Sequence, residues 1–192
     1  MSDLVFIQMS GAPGAGKTTL ARAIAPQIGA VIIDHDITKS ALLEATVPPS
    51  TAGAASYTVL DALARDLLRQ GWSVIFDSPC LYGELLERGQ RLAHEAGARY
   101  RYIECWLADL DALDHRLRTR SRLPSQLSGI RVPPAIGTGK TEINDAVFRE
   151  WIDTMKRPTE NYLVIDTTQP LESYITTALA YIRNDGTTSV AH

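Results

Sequence analysis

Residues 11–18 read Gly-Ala-Pro-Gly-Ala-Gly-Lys-Thr, which matches the pattern Gly-x-x-x-x-Gly-Lys-[Ser/Thr] of a phosphate-binding loop at every defined position. The apolar run at residues 4–9 precedes this stretch, and a helix-compatible run at residues 19–28 follows it. A strand, a glycine-rich turn and a helix, in that order, form the structural context that this motif requires. The stretch therefore predicts an α/β protein in which this loop binds the phosphates of a nucleotide.

The residue types of the loop suit contact with phosphate groups. Glycine leaves room for backbone N–H groups to approach phosphate oxygens, and the following helix adds the partial positive charge of its N-terminus. Lys17 is expected to reach the β- and γ-phosphates, and the Thr18 hydroxyl is expected to ligate Mg²⁺. We therefore expect ATP and Mg²⁺ as cofactors, with contacts to ATP from Gly11, Ala12, Pro13, Gly14, Ala15, Gly16, Lys17, Thr18 and Thr19.

Length and composition indicate one domain. A chain of 192 residues with 45% hydrophobic residues is long enough for one α/β core, which we expect over residues 1–183, with a flexible tail at residues 184–192. The net charge of −3 provides no general attraction to nucleic acid or to anionic membranes. The two cysteines have no metal-ligand spacing and suit a reducing cytoplasm. No run has the length of a membrane span or the form of a signal peptide, so we expect no membrane partner.

Strand-like and helix-like runs alternate along the chain. The five predicted strands cover residues 4–9, 31–33, 73–76, 100–107 and 162–165. The predicted helices cover residues 18–28, 54–70, 82–96, 111–122, 144–156 and 171–182. Because the strands are continuously apolar and helices separate them, the pattern predicts a three-layer P-loop fold, with a five-stranded parallel sheet covered by helices on both faces.

Two segments interrupt this alternation. Residues 46–55 read Thr-Val-Pro-Pro-Ser-Thr-Ala-Gly-Ala-Ala, and residues 123–141 are rich in proline and glycine. Long loops in a compact domain are usually functional, and both are expected at the carboxyl edge of the sheet, where open α/β proteins bind ligands. We interpret the second segment, about residues 121–143, as a mobile lid over the site, with a plain flexible connection as the alternative.

Aspartates stand at the ends of two predicted strands. Asp34 and Asp36 follow the second strand and Asp77 ends the third, so a parallel sheet brings all three beside the phosphate-binding loop. A carboxylate there can accept a proton from an attacking hydroxyl or, as we expect for Asp77 together with Thr18, hold Mg²⁺. Lys39 follows Asp36 by about one helical turn, which places a cation beside that carboxylate. The alternative for each aspartate is a helix cap or a turn.

Arginines crowd the predicted helix before the lid. Arg116 and Arg120 share one face at a spacing of four residues, and Arg118 and Arg122 share another. Arginines that lead into a lid are suited to stabilising charge around a γ-phosphate, whereas the alternative is a solvated helix face. The catalytic candidates are Arg120 and then Arg116, and the weaker candidates in the lid are Arg131 and Lys140.

The pocket for the phosphate acceptor is expected between the segment after the second strand, the end of the third strand and the lid. His35 lies in this region, and we interpret it as structural because a lone histidine is weak evidence for a base or a metal ligand. The residues assigned to the acceptor are Asp34, Asp36, Lys39, Tyr57 and Ser78.

The motifs together resemble one group of small P-loop kinases. The residues that carry the resemblance are the loop at residues 11–18, Asp34-His35-Asp36 with Lys39, Asp77-Ser78-Pro79, Arg116-Leu117-Arg118-Thr119-Arg120 and Val164-Ile165-Asp166-Thr167-Thr168. Over about residues 3–183, the chain is similar to the kinases grouped with zeta toxin, chloramphenicol phosphotransferase and polynucleotide 5′-kinase.

The resemblance implies roles for individual residues. Asp36 falls on the aspartate that deprotonates the substrate hydroxyl, and Lys39 falls on a basic residue that contacts the phosphoryl group or the substrate. The polynucleotide kinases look arginine-like at the position of Lys39, which is a departure in this chain. The resemblance further implies that Arg120 lies near the nucleotide at the entry to the lid, and that residues 167–170, with Thr168, pass beside the adenine.

We therefore predict an ATP-dependent phosphotransferase that moves the γ-phosphoryl group to a hydroxyl of a small molecule, with Asp36 as general base. The acidic net charge and an aromatic content of 7% argue against a long nucleic-acid strand, although a polynucleotide 5′-hydroxyl kinase stays an alternative. A non-kinase ATPase that acts on a protein partner is the second alternative. A GTPase switch is disfavoured, because the residues after Asp77 lack the glycine of a switch loop. The sequence indicates neither the identity of the acceptor nor the oligomeric state.

Overall fold

The computed structural model describes residues 4–132, 143–183 and 189–191. Within these residues the strands are β1 (Val5–Ser10), β2 (Ala30–Asp34), β3 (Ser73–Asp77), β4 (Arg99–Trp106), β5 (Tyr162–Asp166) and β6 (Ser189–Ala191). The helices are α1 (Lys17–Ile28), α2 (His35–Glu44), α3 (Pro49–Arg69), α4 (Gly83–Glu95), α5 (Leu110–Thr119), α6 (Asp145–Asp153) and α7 (Leu171–Arg183). None of the helices in this part of the chain is long and apolar enough to cross a membrane.

The strands form one parallel sheet in the order β2-β3-β1-β4-β5-β6. β1 lies between β3 and β4, so that Ile7 of β1 is in register with Ile75 on one side and Arg101 on the other. β2 and β3 lie on one side of β1, whereas β4, β5 and β6, which come later in the chain, lie on the other side. This change of direction opens a crevice at the carboxyl end of β1, where parallel α/β sheets bind ligands.

Helices cover both faces of the sheet, and each face has its own apolar cluster. Ile7 packs in one cluster with Leu20 of α1 and Leu113 of α5, while its neighbour Phe6 packs in the other with Leu60 of α3. Successive residues of β1 thus face opposite layers, which explains why the strand is buried at every position. The predicted three-layer α/β fold is confirmed.

The sheet has one strand more than the sequence predicted. Ser189–Ala191 forms β6, which pairs in parallel with β5. Residues 189–191, within the range predicted as a flexible tail, thus pair with the open edge of β5, which offers backbone groups to a further strand. The rest of that range, residues 184–188 and 192, lies outside the described part of the chain.

Helix α3 occupies most of the region where a loop was predicted at residues 46–55. α2 follows β2 directly and α3 begins at Pro49, so only residues 45–48 connect the two helices. Proline suits the first helical position because its ring pre-sets φ and its missing N–H would have no helical partner there. Leu63 of this helix is 46% exposed. The buried residues of α3 instead recur every four positions, at Ala52, Ser56, Leu60, Ala64 and Leu68.

The predicted lid begins just after α5. Residues 123–132 are described, and they form turns and bends rather than a helix or a strand. Residues 133–142, with Lys140, lie outside the described residues. The mobility of the lid therefore stays a prediction.

Candidate active site

The carboxyl end of β1 leads into a tight turn that ends at the first residue of α1. Gly11, Gly14 and Gly16 have φ values of 130°, 87° and 96°, which glycine adopts with little strain and other residues rarely adopt. A Cβ on Gly11 would also overlap the carbonyl oxygen of Cys105 on β4. The glycines therefore permit both the turn and its close packing against β4, and the turn presents the partially positive N-terminus of α1 to the crevice.

Two sets of contacts hold this loop. Lys17 Nζ donates hydrogen bonds to the carbonyl oxygens of Gly11 at 2.9 Å and Ala12 at 3.0 Å. Thr167 Oγ1, at the end of β5, donates to the carbonyl oxygen of Ala15 at 2.9 Å. The loop is thus stabilised in one conformation, with the ammonium group of Lys17 lying over its carbonyls.

The hydroxyl of Thr18 and the carboxylate of Asp77 lie together beside the loop. Thr18 Oγ1 donates to Asp77 Oδ2 at 2.6 Å. Burial raises the pKa of the Asp77 carboxyl from 3.8 to about 6, although Lys17 and the Thr18 hydrogen bond oppose this shift. A hydroxyl and a carboxylate are hard donors, and Mg²⁺ commonly takes one or two carboxylates and completes its shell with phosphates and water. The pair therefore fits Mg²⁺, whereas no group of three or more His, Cys, Asp and Glu side chains in the described residues offers an all-protein metal site.

The two aspartates after β2 have different surroundings. Asp34 caps α2, because its Oδ1 accepts hydrogen bonds from the backbone N–H groups of Asp36 at 2.7 Å and Ile37 at 3.2 Å. Burial raises the pKa of the Asp34 carboxyl, and these backbone hydrogen bonds oppose the shift. Asp36 lies in the first turn of α2, and its Oδ2 accepts a hydrogen bond from Gln126 Nε2 at 2.8 Å. One carboxylate oxygen of Asp34 thus caps α2, whereas the carboxylate of Asp36 bonds to Gln126, which is distant in the chain.

A cavity of about 820 Å³ lies at this edge of the sheet. The predicted site residues that line it are Pro13, Gly14, Gly16, Lys17, Thr18, Thr19, Asp34, Asp36, Asp77, Ser78, Arg116 and Arg120. Lining residues that the sequence did not single out for the site include Arg22, His35, Gln126, Gln169 and Tyr174. One cavity therefore contains the phosphate-binding loop, the candidate metal pair and the candidate base.

Six predicted site residues are not among those that line this cavity: Gly11, Ala12 and Ala15 of the loop, and Lys39, Tyr57 and Thr168. Thr168 is exposed and its N–H bonds to Asp166 Oδ1 at 2.9 Å, while its neighbour Thr167 is the residue that contacts the loop. The ring of Tyr57 stacks on His35 with 4.2 Å between centroids, so Tyr57 supports a lining residue. Lys39 forms no ion pair with Asp36 among the described residues, and the side chain that bonds to that carboxylate is Gln126.

The arginines of α5 divide between the cavity and the surface. Arg116 lines the cavity, and its guanidinium donates to the carbonyl oxygen of Thr167 at 2.8 Å. Arg120 also lines it, and its Nε is buried without a hydrogen bond within the described residues. Burial lowers the pKa of Arg120, with Asp36 opposing the shift. Arg118 instead pairs with Asp114 at 2.6 Å on the outer face of α5, as the solvated-face alternative predicted.

Arg131, a weaker candidate of the lid, also lies on the surface. Its guanidinium pairs with Asp111 at 3.1 Å and Asp145 at 2.8 Å, and these ion pairs connect α5 with α6. Arg131 is not among the residues that line the cavity. The structure therefore places it away from the phosphate-binding loop, in a bridge between two helices.

Residues 123–127, which we call the post-α5 segment, dock on α2. Ser125 Oγ donates to the carbonyl oxygen of Asp36 at 3.0 Å, and Ser125 N–H donates to Ser40 Oγ at 3.1 Å. The Leu123 N–H donates to Gln126 Oε1 at 3.1 Å, which leaves the NH₂ group of Gln126 to face Asp36. The post-α5 segment therefore fixes both the backbone and the carboxylate of the candidate base.

Comparison with known proteins identifies the family. Residues 6–133 match the AAA_33 family, which is described as an AAA domain. The chain belongs to the AAA_33 family. No curated protein matches the chain at the sequence level.

Solved structures share the fold of this AAA_33 chain at low sequence identity. One is the APS kinase of Mycobacterium tuberculosis in complex with AMPPNP and APS, with 15% identity, a TM-score of 0.67 and coverage of 96% of this chain and 100% of that chain. A gluconokinase from Sinorhizobium meliloti 1021 has 18% identity and a TM-score of 0.59, with coverage of 95% and 93%. A sugar kinase from Janibacter sp. HTCC2649 has 18% identity and a TM-score of 0.60, with coverage of 94% and 95%. These similarities show that the chain has the fold of P-loop kinases.

Proposed function

We propose that this AAA_33 protein is an ATP-dependent kinase that transfers the γ-phosphoryl group to a hydroxyl of a small molecule. The observation that carries the proposal is that Asp36 lines the same cavity as Lys17, Thr18 and Asp77. A phosphate-binding loop and a metal pair alone would suit any nucleoside triphosphatase. A carboxylate opposite them, in a cavity with room for an acceptor, is what a phosphotransferase requires in addition.

Each side chain has a stated task in this proposal. Lys17 and the N-terminus of α1 bind the phosphates, and Thr18 with Asp77 would hold Mg²⁺, which neutralises charge on the phosphates when bound. Asp36 accepts the proton of the attacking hydroxyl through Oδ1, which has no hydrogen bond within the described residues, while Gln126 holds Oδ2. Arg116 of α5 and Arg120, the residue that follows this helix, stabilise the charge of the transferring group, since both line the cavity.

We place the chain, within its family, in the narrower group that includes zeta toxin, chloramphenicol phosphotransferase and polynucleotide 5′-kinase, on the motifs quoted above. A small acceptor is supported by the net charge of −3 and by neighbours of the same fold that are named gluconokinase, sugar kinase and APS kinase. Cys80 and Cys105 are free and buried, which supports a reducing cytoplasm as the location. Lys39 remains a proposed contact for the acceptor, and Thr168 a proposed neighbour of the adenine.

The test is a screen of hydroxyl compounds for gain of one phosphoryl group, followed by mass spectrometry. Antibiotics, nucleosides, nucleotide sugars, monosaccharides and a 5′-hydroxyl oligonucleotide are each incubated with ATP, Mg²⁺ and protein. Asp36→Asn keeps the size of the side chain and removes the base, so product should fall by about two orders of magnitude or more. Asp153→Asn, at an exposed position at the end of α6, is the matched control and should keep full activity.

The outcomes separate the proposal from its alternatives. Phosphorylation of a small compound that is lost in Asp36→Asn and kept in Asp153→Asn supports it. Phosphorylation of the oligonucleotide alone points to a polynucleotide kinase. ATP hydrolysis without any phosphorylated acceptor, unchanged in Asp36→Asn, points to an ATPase that acts on a protein partner and refutes the proposed role of Asp36.

A further inference from the structure

His35 is a buried histidine with a defined hydrogen-bond network on one side. It is the first residue of α2, it is 8% exposed and it lines the cavity directly before Asp36. Its Nδ1 lies 2.9 Å from Ser56 Oγ on α3. Ser56 Oγ also lies 2.7 Å from the carbonyl oxygen of Gly53, one turn earlier on the same helix. The geometry of this chain of three groups decides where the imidazole carries its proton.

The Ser56 hydroxyl has one hydrogen, and a carbonyl oxygen can only accept. Ser56 must therefore donate to Gly53, and both hydrogen bonds form together only when His35 Nδ1 donates to Ser56 Oγ. A neutral imidazole with its proton on Nδ1 has a lone pair on Nε2. The network on α3 thus makes Nε2 of His35 a hydrogen-bond acceptor.

The imidazole is neutral at physiological pH. Burial lowers the pKa of His35 from 6.5 to about 4, against the opposing charge of Asp36. Stacking on Tyr57, at 19° between the ring planes, fixes the orientation of the ring. His35 is therefore held in one orientation and in its neutral form.

The Nε2 edge of the ring is accessible from the cavity. Within the described residues Nε2 has no hydrogen bond, and it is not among the fully buried polar atoms that lack a partner. His35 is itself a lining residue of the cavity. Two hydrogen-bond acceptors on consecutive residues, His35 Nε2 and Asp36 Oδ1, are thus available to a molecule bound in the cavity beside α2.

We infer that the phosphate acceptor is a polyhydroxylated compound, in which Asp36 takes the proton of one hydroxyl while His35 Nε2 accepts a hydrogen bond from a second hydroxyl. This inference rests on the proposed kinase function and deepens it. The second hydroxyl keeps its proton and is not phosphorylated, so His35 is a specificity-determining residue rather than a base. From the sequence His35 is interpreted as structural, and the proposed role depends on the two hydrogen bonds of Ser56 on another helix, which no sequence pattern indicates.

The first test measures the tautomer directly. Long-range ¹H–¹⁵N correlation spectra of the protein at pH 7 should show a protonated Nδ1 and an unprotonated Nε2 for His35. The chain has four histidines, so comparison with His35→Asn assigns the signals. A proton on Nε2, or a charged imidazolium at pH 7, would overturn the inference whatever the activity.

The second test compares matched acceptors and matched variants. Diols are offered beside their monodeoxy analogues, including glucose with 2-deoxyglucose and adenosine with its 2′- and 3′-deoxy forms, and an amino alcohol is included. Loss of one hydrogen bond should lower kcat/KM for the deoxy compound by about tenfold. His35→Asn keeps a polar group near Ser56 and removes Nε2. It should therefore lower kcat/KM about tenfold for the diol and leave kcat/KM for the deoxy analogue unchanged. His35→Gln places an amide oxygen near the Nε2 position and should restore part of the preference, and the exposed His94→Asn is the control.

The outcomes distinguish this inference from the function on which it rests. Preferred phosphorylation of a diol, with the preference lost in His35→Asn, supports the inference. Equal phosphorylation of diol and deoxy analogue by the wild-type protein, or preference for the amino alcohol, overturns the inference and leaves the kinase proposal standing. Absence of phosphorylated product from every hydroxyl compound overturns both.

Discussion

The substitution Asp77→Asn tests whether the buried carboxylate of Asp77 lowers the free energy of unfolding when no metal is bound. The Asp77 side chain is buried beside Thr18, and burial raises its pKa to about 6. Asparagine has the same shape and still accepts the Thr18 hydrogen bond, but it has no charge to bury. The variant should therefore be more stable than the wild-type protein at neutral pH when nucleotide and metal are absent.

The magnitude follows from the difference between the folded and unfolded pKa of Asp77. The folded protein binds this proton more tightly, so the contribution of Asp77 is fully present below the unfolded value of 3.8 and is lost as pH rises through about 6. At 1.36 kcal/mol for each pKa unit, the loss is about 3 kcal/mol. The stability of Asp77→Asn relative to wild type should therefore rise by about 2.5 kcal/mol between pH 4 and pH 8, because the remainder of the change falls below pH 4.

Urea unfolding at half-unit steps from pH 4 to pH 8, in the presence of EDTA, measures this difference by linear extrapolation. The exposed Asp153→Asn is the control, and its difference from wild type should show no slope with pH. Addition of Mg²⁺ and a non-hydrolysable ATP analogue should then stabilise the wild-type protein, and the Mg²⁺-dependent part should be lost in Asp77→Asn. Below about pH 6 protons compete with Mg²⁺ for Asp77, so this gain should also shrink in the wild-type protein.

A difference between Asp77→Asn and wild type that stays constant from pH 4 to pH 8 would refute the reasoning about burial. An Mg²⁺-dependent gain that is equal in the two proteins would refute the assignment of Asp77 to the metal. The two results are independent, because the first needs no ligand and the second is measured at a single pH.

Three further substitutions have defined outcomes. Gly11→Ala should abolish nucleotide binding in a fluorescence assay and lower the free energy of unfolding by about 3 kcal/mol or more, since its Cβ overlaps a carbonyl of β4. Gln126→Ala should lower kcat about tenfold with little change in KM for ATP, because it removes the donor that orients Asp36. A KM for ATP that changes by as large a factor as kcat would contradict this. Arg157→Ala should lower the free energy of unfolding by about 2 kcal/mol, because it leaves the buried carboxylate of Glu104, which Arg157 contacts at 2.6 Å and 2.7 Å, without its ion-pair partner. Adding Glu104→Gln to the Arg157→Ala variant should recover most of this free energy.

The parts of the site that were predictable are those that depend on local rules. Residues 11–18 are adjacent in the chain, and their glycines, lysine and threonine specify both a turn and a ligand. The approach of Asp36 and Asp77 to that loop follows from parallel strands alone, since their carboxyl ends share one edge. Neither prediction needed the packing of any particular side chain.

The parts that were not predictable depend on distant contacts or on where a helix begins. Gln126 and Ser125 lie 90 and 89 residues from Asp36 in the chain, and no pattern in the sequence connects them. Asp34 and Asp36 are the same residue type two positions apart, and only the first residue of α2 decides that Asp34 is the cap. The Pro-Pro pair at residues 48–49 is compatible with a loop and with a helix start, and the burial of α3 decides in favour of the helix.

The post-α5 segment has a consequence for the order in which substrates bind. It continues from α5, whose Arg116 lies beside Gly16 of the phosphate-binding loop, and it ends on Asp36. Any shift of α5 that a bound nucleotide favours is therefore transmitted to the carboxylate that receives the acceptor. Because coupling between two binding sites is reciprocal, the acceptor must raise the affinity for nucleotide by the same factor by which the nucleotide raises the affinity for the acceptor. The protein should accordingly show substrate synergy, with each ligand measured as a tighter binder in the presence of the other.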